Sequence, residues 1–464
     1  IYCDFYSTTS LKWQDDYVDA LCKEMKLRPA IQALGDNYPI ETIYLGGGTP
    51  SQLSNEHLLR IFTMLKETYG DLFTKNMEIT MECNPDDVTP AYCKTLGKLP
   101  VNRVSMGAQT FSDQRLQFLR RRHNTAEVKE AVSLLRNTGI ENISIDLMFG
   151  FPKENIEDWK YDIQQALQLG VEHISAYSLM YEEGTPLYKM LEQGKIEEID
   201  EELSRNMYDT LVDMLTLSGY EHYEISNFAK PGYRSRHNSS YWNETPYIGL
   251  GAAAHSYRRA QNQSGNMEVT RSWNINNIQQ YINSIHQGIL PSEKESLDLA
   301  TRYNDLITTA LRTSDGIDLE KTEKEFGKCY LEKLLDEAND KIKRGLMKMD
   351  KQNGNYLLSS LDEYLSILDS EDTKQTTAVA ESLSKVRPET NVMSRSGITN
   401  PISRGSNPMI KSNKSEHSHY MNGLIVKSGY NIDSEKGFYL VNMDGVSALV
   451  GRIKDDIFIL KKFN

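Results

Sequence analysis

The sequence is short of cysteine, of basic residues relative to acidic ones, and of long apolar runs. Its five cysteines are odd in number and widely scattered, which is unsuited to a disulfide scaffold and favours a reducing, cytoplasmic location. No apolar run is long enough to cross a bilayer as a helix. Acidic residues outnumber basic ones by 65 to 52, and the resulting net charge of −13 argues against non-specific nucleic-acid binding.

The first half of the chain alternates short apolar runs with longer amphipathic stretches. We predict strands at Thr42–Leu45, Glu78–Glu82, Arg103–Met106, Ile143–Phe149 and His173–Leu179, and helices that include Glu56–Thr68 and Thr125–Thr138. Buried-type strands alternating with helices predict an α/β fold with a parallel sheet and crossover helices. A barrel of this kind carries its chemistry at the carboxyl ends of the strands.

The second half is less regular. Residues 231–290 show no regular pattern and are predicted to be irregular. Helical periodicity returns over 297–311 and 318–344, and a hairpin follows at 345–358, which predicts a helical, winged-helix-like arrangement. A serine-rich stretch over 371–420 predicts a disordered linker, and three strand patterns after residue 436 predict a small β module. The predicted domains are therefore 1–230, 231–370, 371–420 and 421–464.

Polar residues gather where the predicted strands end. Gly46-Gly47-Gly48-Thr49-Pro50 follows the first strand, Glu82 ends the second, Gln109 follows the third, and Asp146 lies within the fourth. A carboxylate on an otherwise apolar strand is costly to bury without a partner. The glycine loop alone fits two interpretations equally, a ligand loop that the backbone approaches closely or a turn without a ligand.

Several ordered motifs together are similar to one family. The segments YCDFYS, YLGGGTPSQL, ECNPDDVT, RVSMGAQTF, LRRRH and ISIDLMFGFP resemble the HemN/HemW family, the oxygen-independent coproporphyrinogen III oxidases and their relatives. The resemblance extends from residue 1 to about residue 369. It implies a partial (β/α)6 radical S-adenosylmethionine barrel followed by a C-terminal domain.

The resemblance also implies cofactors and the residues that bind them. Cys3 would be the third cysteine of a CxxxCxxC loop that binds a [4Fe-4S] cluster through thiolates. The other two cysteines and the first barrel strand are expected upstream of Ile1, in an N-terminally truncated sequence. The expected S-adenosylmethionine contacts are Tyr2, Phe5, Gly47, Gly48, Thr49, Glu82, Gln109, Arg121 and Asp146. Arg121 would pair with the carboxylate of the ligand, although its run of arginines also suits a solvated helix end, and Gln109 also suits a turn cap.

Two features bear on the branch of the family. Phe5 stands where the coproporphyrinogen oxidases carry a fourth cysteine. His237, Asn238, Tyr241 and Trp242 form an HNxxYW motif, the sequence associated with the heme-chaperone branch. An imidazole suits heme iron and aromatic rings suit a porphyrin face, but the motif also fits a packed loop with a hydrogen-bonded histidine. His255 is a competing candidate, whereas His173 and His222 are predicted to be structural.

The resemblance therefore implies a heme chaperone that binds a [4Fe-4S] cluster, S-adenosylmethionine and heme. It would deliver heme to apo-cytochromes or other acceptors and lack coproporphyrinogen oxidase activity, so no catalytic residue is assigned. The expected partners include a possible homodimer and membrane contact through recipient proteins. Two alternatives stay open: radical decarboxylation of porphyrinogen propionates, and a trimmed chain that folds without its cluster. Cys22, Cys83 and Cys93 are not expected to replace the missing ligands.

Overall fold

The computed structural model describes residues 1–2, 11–29, 34, 38–261, 265, 267–350 and 355–358, together with six strands between residues 410 and 463. The predicted ligands Cys3 and Phe5 lie outside the described residues, and so does most of the predicted linker. The structure contains two compact units, Ile1–Asp298 and Leu299–Asn464. This division differs from the predicted boundary at residue 230.

The first unit is built around a seven-stranded sheet in the order β1-β2-β3-β4-β5-β7-β6. Its strands are β1 (Ile40–Leu45), β2 (Phe73–Cys83), β3 (Arg103–Gln109), β4 (Asn142–Phe149), β5 (His173–Ser178), β6 (Glu221–Glu224) and β7 (Asn227–Ala229). The first five strands run parallel, and β7 joins β5 antiparallel. All five strands predicted from the sequence are confirmed, although β2 begins five residues earlier and β3 ends three residues later than predicted.

Helices connect these strands, most of them with a capping residue that explains where they begin. They are α1 (Gln14–Leu27), α2 (Asn55–Tyr69), α3 (Pro90–Leu96), α4 (Asp113–Phe118), α5 (Thr125–Asn137), α6 (Ile156–Gln168), α7 (Pro186–Glu192) and α8 (Glu201–Leu217). Asn124 and Asn155 each begin a helix with a full capping box. Gly139 follows α5 with φ +91°, a conformation that favours glycine and ends the helix close to its predicted end at Thr138.

The two faces of the parallel strands differ in chemistry because side chains alternate along a strand. One face is apolar and buried, as expected for a sheet covered by helices. Its residues include Ile43, Ile79, Met81, Val104, Met106, Ile143, Ile145, Leu147 and Ile174. The opposite face is mainly polar and includes Thr42, Tyr44, Glu78, Glu82, Arg103, Ser105, Ser144, Asp146 and His173. A polar inner face is the arrangement of a ligand-binding barrel interior.

The described part of residues 231–290 contains two helices and two strands, so the prediction of irregular structure over that range is wrong. Residues 231–298 form α9 (Arg236–Trp242), a three-stranded antiparallel sheet of β8 (His255–Gln261), β9 (Met267–Asn274) and β10 (Ser292–Ser296), and α10 (Ile278–His286). All five residues of β10 are exposed, so this strand carries no alternating apolar pattern that a sequence reading detects.

The described residues of the second unit form three helices and three sheets. Its helices are α11 (Leu299–Ala310), α12 (Leu319–Phe326) and α13 (Lys328–Lys343). Gly327, with φ +86°, separates the last two, which the sequence predicts as one helix. Strands β11 (Ile317–Asp318), β12 (Met347–Asp350) and β13 (Asn355–Leu358) form one sheet, and the predicted hairpin is confirmed.

The C-terminal strands match the predicted β module. They are β14 (Ile410–Lys411), β15 (His419–Met421), β16 (Leu424–Val426), β17 (Lys436–Met443), β18 (Val446–Ile453) and β19 (Asp456–Phe463). β14 and β15 lie within the range predicted as linker. Among the described residues of the whole chain, no helix is long and apolar enough to cross a membrane.

Candidate functional site

The glycine loop after β1 is shaped by close contacts at its start and is left uncovered by the described residues at its end. A Cβ atom on Gly46 would lie 2.5 Å from Oε1 of Glu82 and would also collide with the ring of Tyr44. Gly47 has φ +80°, a conformation that favours glycine. A Cβ on Gly48 would meet no atom of the described residues within 4 Å. The end of the loop therefore presents backbone that the described residues leave uncovered, which fits close approach by a ligand.

Glu82, at the end of β2, is the carboxylate beneath this loop. Its Oε1 accepts a hydrogen bond from the Tyr44 hydroxyl at 2.6 Å, and its Oε2 accepts one from the Gly47 amide at 3.2 Å. Burial raises the pKa of Glu82 to about 7, and the charge of Asp146 adds to this effect, although both hydrogen bonds oppose it. A carboxylate that is costly to ionise suits a site completed by a cationic ligand group.

This environment makes the stability of the ligand-free protein depend on Glu82 and pH. The pKa of Glu82 is higher in the folded protein than in the unfolded one, so between pH 4.5 and 7 the folded state binds the carboxyl proton more tightly. The stability of the folded state therefore falls as pH rises through this range. From pH 5 to pH 8, we expect the wild-type free energy of unfolding to fall by roughly 1–3 kcal/mol more than that of Glu82→Gln. Urea denaturation at several pH values measures the free energy of unfolding, and Glu67→Gln, at an exposed position, is the control. If the free energies of wild type and Glu82→Gln changed equally with pH, the raised pKa of Glu82 would be contradicted.

Arg121 points into the site because of how α4 ends. Arg120 adopts φ 59°, and the Arg121 amide donates to the carbonyl of Leu116 at 2.9 Å, the bond pattern of a Schellman motif. Arg121 Nη2 then donates to Asn84 Oδ1 at 2.8 Å and to the Gly107 carbonyl at 3.0 Å. Arg121 makes no ion pair with any carboxylate among the described residues, so its charge is available to an anionic ligand group.

The end of β3 supplies a second polar side chain. Gln109 is buried, has φ 68°, and accepts a hydrogen bond at Oε1 from the Tyr2 hydroxyl at 3.3 Å. A Cβ atom on Gly107 would lie 2.7 Å from Gln109 Nε2 and 3.1 Å from Arg121 Nη2. Glycine at position 107 therefore allows both side chains to fold over the same backbone segment.

Asp146 lies on the polar face of β4. Its Oδ1 accepts a hydrogen bond from Ser105 at 3.3 Å, and the hydroxyl of Ser175 on β5, which donates to Asn227 Oδ1 at 2.8 Å, lies beside it. Burial raises its pKa to about 6, although the charge of Arg103 and both hydroxyl groups oppose the rise. Asp146 is therefore ionised at neutral pH and remains an acceptor.

The HNxxYW motif forms the short helix α9, and Glu78 of β2 anchors its first turn to the barrel. Glu78 accepts hydrogen bonds from the amides of Arg236 at 2.9 Å and His237 at 3.0 Å. The side chain of Ser235 caps the helix by accepting from the amide of Asn238. A carboxylate at a helix N-terminus is favourable because it satisfies free amides. This anchor places His237 against the inner face of β1.

The ring of His237 is held on three sides. Its Nδ1 hydrogen-bonds to Thr42 Oγ1 at 2.9 Å and its Nε2 to the Tyr241 hydroxyl at 3.0 Å. It stacks on Tyr44 with ring centroids 4.7 Å apart and an interplanar angle of 16°. Burial, with the charge of Arg103, lowers the pKa of His237 to about 4. The imidazole is thus neutral at physiological pH, the state that binds metal.

The other motif residues differ in exposure. Tyr241 is 37% exposed and contacts Tyr247 edge-on, whereas Trp242 is only 9% exposed. Asn238 is half-buried, on the first turn of α9. Trp242 is therefore a packing residue of α9 in this conformation, and Tyr241 is the aromatic side chain that a flat ligand would meet.

The remaining histidines lie in different settings. His255 packs near Trp273, and its buried Nε2 has no hydrogen-bond partner among the residues that the structure describes. His173 is buried between Ser144 and Tyr223, and each of its nitrogens makes a 2.7 Å hydrogen bond. His222 stacks on Phe228 with ring centroids 4.3 Å apart. These contacts fit structural roles for His173 and His222.

The described cysteines of the barrel offer no replacement for the predicted cluster ligands. Cys22, Cys83 and Cys93 are buried, and no group of three His, Cys, Asp or Glu residues within the described part of the chain could hold a metal ion. Cys83 follows Glu82 directly, but its thiol packs near Tyr92 on the opposite face of β2. Burial raises the pKa of Cys83 to about 12, which disfavours the thiolate that iron needs.

The structure brings most predicted site residues together at one end of the sheet. Tyr2, the glycine loop, Glu82, Gln109, Arg121 and Asp146 lie at or beside the carboxyl ends of β1–β4, and Tyr44 connects Glu82 to His237. Thr49 is exposed at the end of the loop and makes no side-chain capping bond. Four residues that sequence reasoning missed are Tyr44, Glu78, Asn84 and Gly107. The motifs that contain Tyr44, Asn84 and Gly107 were noted, but no spacing rule identifies their partners.

Comparisons with known proteins identify the family of the chain. The family model of the radical SAM superfamily matches residues 1–166. The chain is 34% identical over 360 residues to the heme chaperone HemW of Lactococcus lactis subsp. lactis, covering 76% of this chain and 88% of that protein. It is 32% identical over 352 residues to the heme chaperone HemW of Bacillus subtilis, with coverages of 75% and 88%.

A solved structure establishes the fold. The radical SAM enzyme coproporphyrinogen III oxidase (HemN) of Escherichia coli matches with a TM-score of 0.65 at 18% identity, covering 83% of this chain and 87% of that one. At this identity the likeness concerns the fold alone. It confirms the predicted partial barrel with a C-terminal domain.

Proposed function

Because the chain belongs to the HemW family of radical S-adenosylmethionine proteins, we propose that it binds heme and delivers it to apo-hemoproteins such as respiratory cytochromes. The observation that supports this proposal most strongly is the way in which His237 is held in place by its neighbours. Glu78 anchors α9, Thr42 binds Nδ1 and Tyr44 supports the ring plane. Metal-binding histidines are usually held in this way, with one nitrogen oriented by a hydrogen bond and the other directed to the metal.

His237 Nε2 is the proposed axial ligand of the heme iron. This nitrogen hydrogen-bonds to Tyr241, whose side chain is more exposed than that of Trp242. Displacement of the Tyr241 hydroxyl would release Nε2 while Thr42 keeps the ring oriented. The ring of Tyr241 would then contact the porphyrin face.

The barrel residues fit S-adenosylmethionine. We assign the backbone of Gly47, Gly48 and Thr49 and the carboxylate of Glu82 to the cationic amino group, and Arg121 to the carboxylate. Gln109 and Asp146 would bind the ribose hydroxyls, and Tyr2 supports Gln109 through its hydrogen bond. The backbone of Gly48, which the described residues leave uncovered, and the absence of an ion pair from Arg121 to a described carboxylate support this assignment.

A [4Fe-4S] cluster would be bound through Cys3, with Phe5 nearby. When S-adenosylmethionine binds such a cluster, the pair supplies one-electron radical chemistry. The chain's own residues would hold the ligand, exclude water from the buried carboxylates and orient its carboxylate toward Arg121. Phe5 stands where the coproporphyrinogen oxidases carry a fourth cysteine, which argues against porphyrinogen as a substrate.

The proposal is tested with the full-length protein, reconstituted anaerobically with iron and sulfide. We expect binding of about one heme per chain, followed by transfer to an apo-cytochrome when the two are mixed. We also expect no turnover of coproporphyrinogen III in the presence of S-adenosylmethionine and a reductant, measured by chromatography of the porphyrins. The E. coli HemN enzyme in the same mixture is the positive control. Multiple-turnover formation of protoporphyrinogen would favour the oxidase, and absence of heme binding would refute the chaperone proposal.

A further inference from the structure

Tyr44 contacts both halves of the proposed site. Its hydroxyl donates to Glu82 at 2.6 Å, and Glu82 in turn accepts from the amide of Gly47 in the glycine loop. The ring of the same tyrosine is stacked on His237 at a centroid distance of 4.7 Å. One side chain therefore connects the carboxylate of the S-adenosylmethionine site to the imidazole of the heme site.

We propose that Tyr44 is a positioning residue through which S-adenosylmethionine bound at the glycine loop tightens heme binding at His237. This inference rests on the proposed function, because it requires both ligands to bind where we assign them. Tyr44 itself touches neither ligand in this scheme. It acts by fixing the ring that binds the iron.

The first step is the confinement of the tyrosine ring. Gly46 leaves no space between the ring and the Glu82 carboxylate, since even a methyl group there would collide with both. The hydroxyl bond and the stacking contact then fix the ring at both ends. A change in the strength of the Tyr44–Glu82 hydrogen bond therefore changes how firmly the tyrosine ring is held, and His237 stacks on that ring.

The second step is the orientation of the imidazole. Thr42 and Tyr44 are two residues apart on β1, so both side chains point to the same face of the strand. Thr42 fixes Nδ1 and Tyr44 fixes the ring plane, which leaves Nε2 as the nitrogen to be released. Ordering the ring before heme arrives lowers the entropy cost of binding.

The third step gives the sign of the coupling. The pKa of Glu82 is raised to about 7, so a substantial fraction of this carboxyl group is neutral at physiological pH. The cationic amino group of a ligand beside Glu82 would favour the ionised form. An ionised carboxylate accepts a stronger hydrogen bond than a neutral one. The ligand thus strengthens the hold of Glu82 on Tyr44, and by linkage heme would tighten binding of the ligand by the same factor.

The test is a heme titration of the reconstituted full-length protein, followed by absorption in the Soret region, with and without saturating S-adenosylmethionine. At pH 6, where a carboxyl group with a pKa of about 7 is roughly 90% neutral, we expect the heme Kd of wild type to fall at least about fivefold when S-adenosylmethionine is present. Tyr44→Phe keeps the aromatic ring but removes the hydroxyl. We expect the ratio of the two Kd values in this variant to be within about twofold of one.

Thr42→Val is the matched control on the same strand. It removes the bond to Nδ1 and leaves the Tyr44–Glu82 bond in place. We expect it to weaken heme binding similarly in both conditions and to keep the ratio of wild type. If Tyr44→Phe does not fold, Glu82→Gln is the second variant, because its amide can still accept the hydrogen bond from Tyr44 but cannot ionise when the ligand binds. We expect its Kd ratio also to be within about twofold of one.

The outcomes separate this inference from the proposed function. Binding of both ligands to wild type with a Kd ratio of one overturns the inference and leaves the proposed function standing. A wild-type ratio retained by Tyr44→Phe also overturns it. Absence of heme or S-adenosylmethionine binding by wild type refutes the proposed function itself.

Discussion

Arg121→Met is expected to weaken binding of S-adenosylmethionine by about 100-fold, or roughly 3 kcal/mol, which is within the range for removing one partner of a buried charge pair. The guanidinium is positioned by Asn84 and by the carbonyl of Gly107, yet it has no carboxylate partner among the described residues. A planar guanidinium binds a carboxylate through two parallel hydrogen bonds, and methionine replaces its volume without its charge. Equilibrium dialysis of radiolabelled S-adenosylmethionine against the reconstituted protein measures the loss.

The neighbouring arginine supplies the control. Arg122 is 56% exposed at its side chain and forms ion pairs with Asp86 and Asp87. Exposed ion pairs contribute little, so Arg122→Met should change ligand affinity by less than about threefold. Thermal unfolding of each ligand-free variant separates a binding defect from a folding defect. If both variants lost the same affinity for S-adenosylmethionine, the effect would come from the net charge of the arginine run and not from a contact of Arg121.

The barrel was predictable because its signal is local. Each parallel strand is buried on its apolar face and bounded by a polar or glycine-rich segment, so β1 to β5 appear as short apolar runs. Asp146 illustrates how far such reasoning extends. Its position on an apolar strand predicts that it has polar partners, and Ser105 and Ser175 supply them. The sequence does not identify these serines, because they lie on two different strands.

The missed parts of the site share a physical cause, which is long sequence separation between partners. Glu78 and His237 are 159 positions apart, and Tyr44 and Glu82 are 38 apart. No periodicity connects such pairs, since they meet only after the sheet has formed. The same cause contributes to the error over residues 231–290, where β8 and β9 are defined by their pairing with each other. The exposed strand β10 that follows is likewise defined by its pairing with β9, and its own residues carry no apolar alternation.

His237→Ala is expected to weaken heme binding at least about 100-fold, because changes that only affect the surroundings of a metal ligand already cost 10- to 100-fold. The substitution removes the ring that Thr42, Tyr44 and Tyr241 contact, and it leaves the other anchors of α9 in place, including the bond from the Arg236 amide to Glu78. Heme titration in the Soret region measures the affinity. His255→Ala is the control, and we expect it to bind heme within about threefold of wild type. A large loss of heme affinity in His255→Ala with none in His237→Ala would move the ligand to His255, whose buried Nε2 has no hydrogen-bond partner within the described part of the chain.

His237→Ala would lose heme affinity if His237 binds the iron, and also if His237 only packs against the heme site. His237→Gly distinguishes these two explanations. Removing the side chain leaves a gap bounded by the flat ring of Tyr44 and the hydroxyl of Thr42, the same surfaces that hold the native ring. Added imidazole matches that gap in shape and hydrogen bonding. If His237 binds the iron, millimolar imidazole should restore the wild-type Soret spectrum in His237→Gly and have no such effect on Thr42→Val. If His237 only packs, imidazole would leave the spectrum of His237→Gly unchanged, because a filled gap supplies no bond to iron. Rescue therefore assigns the ligand atom, which affinity alone does not.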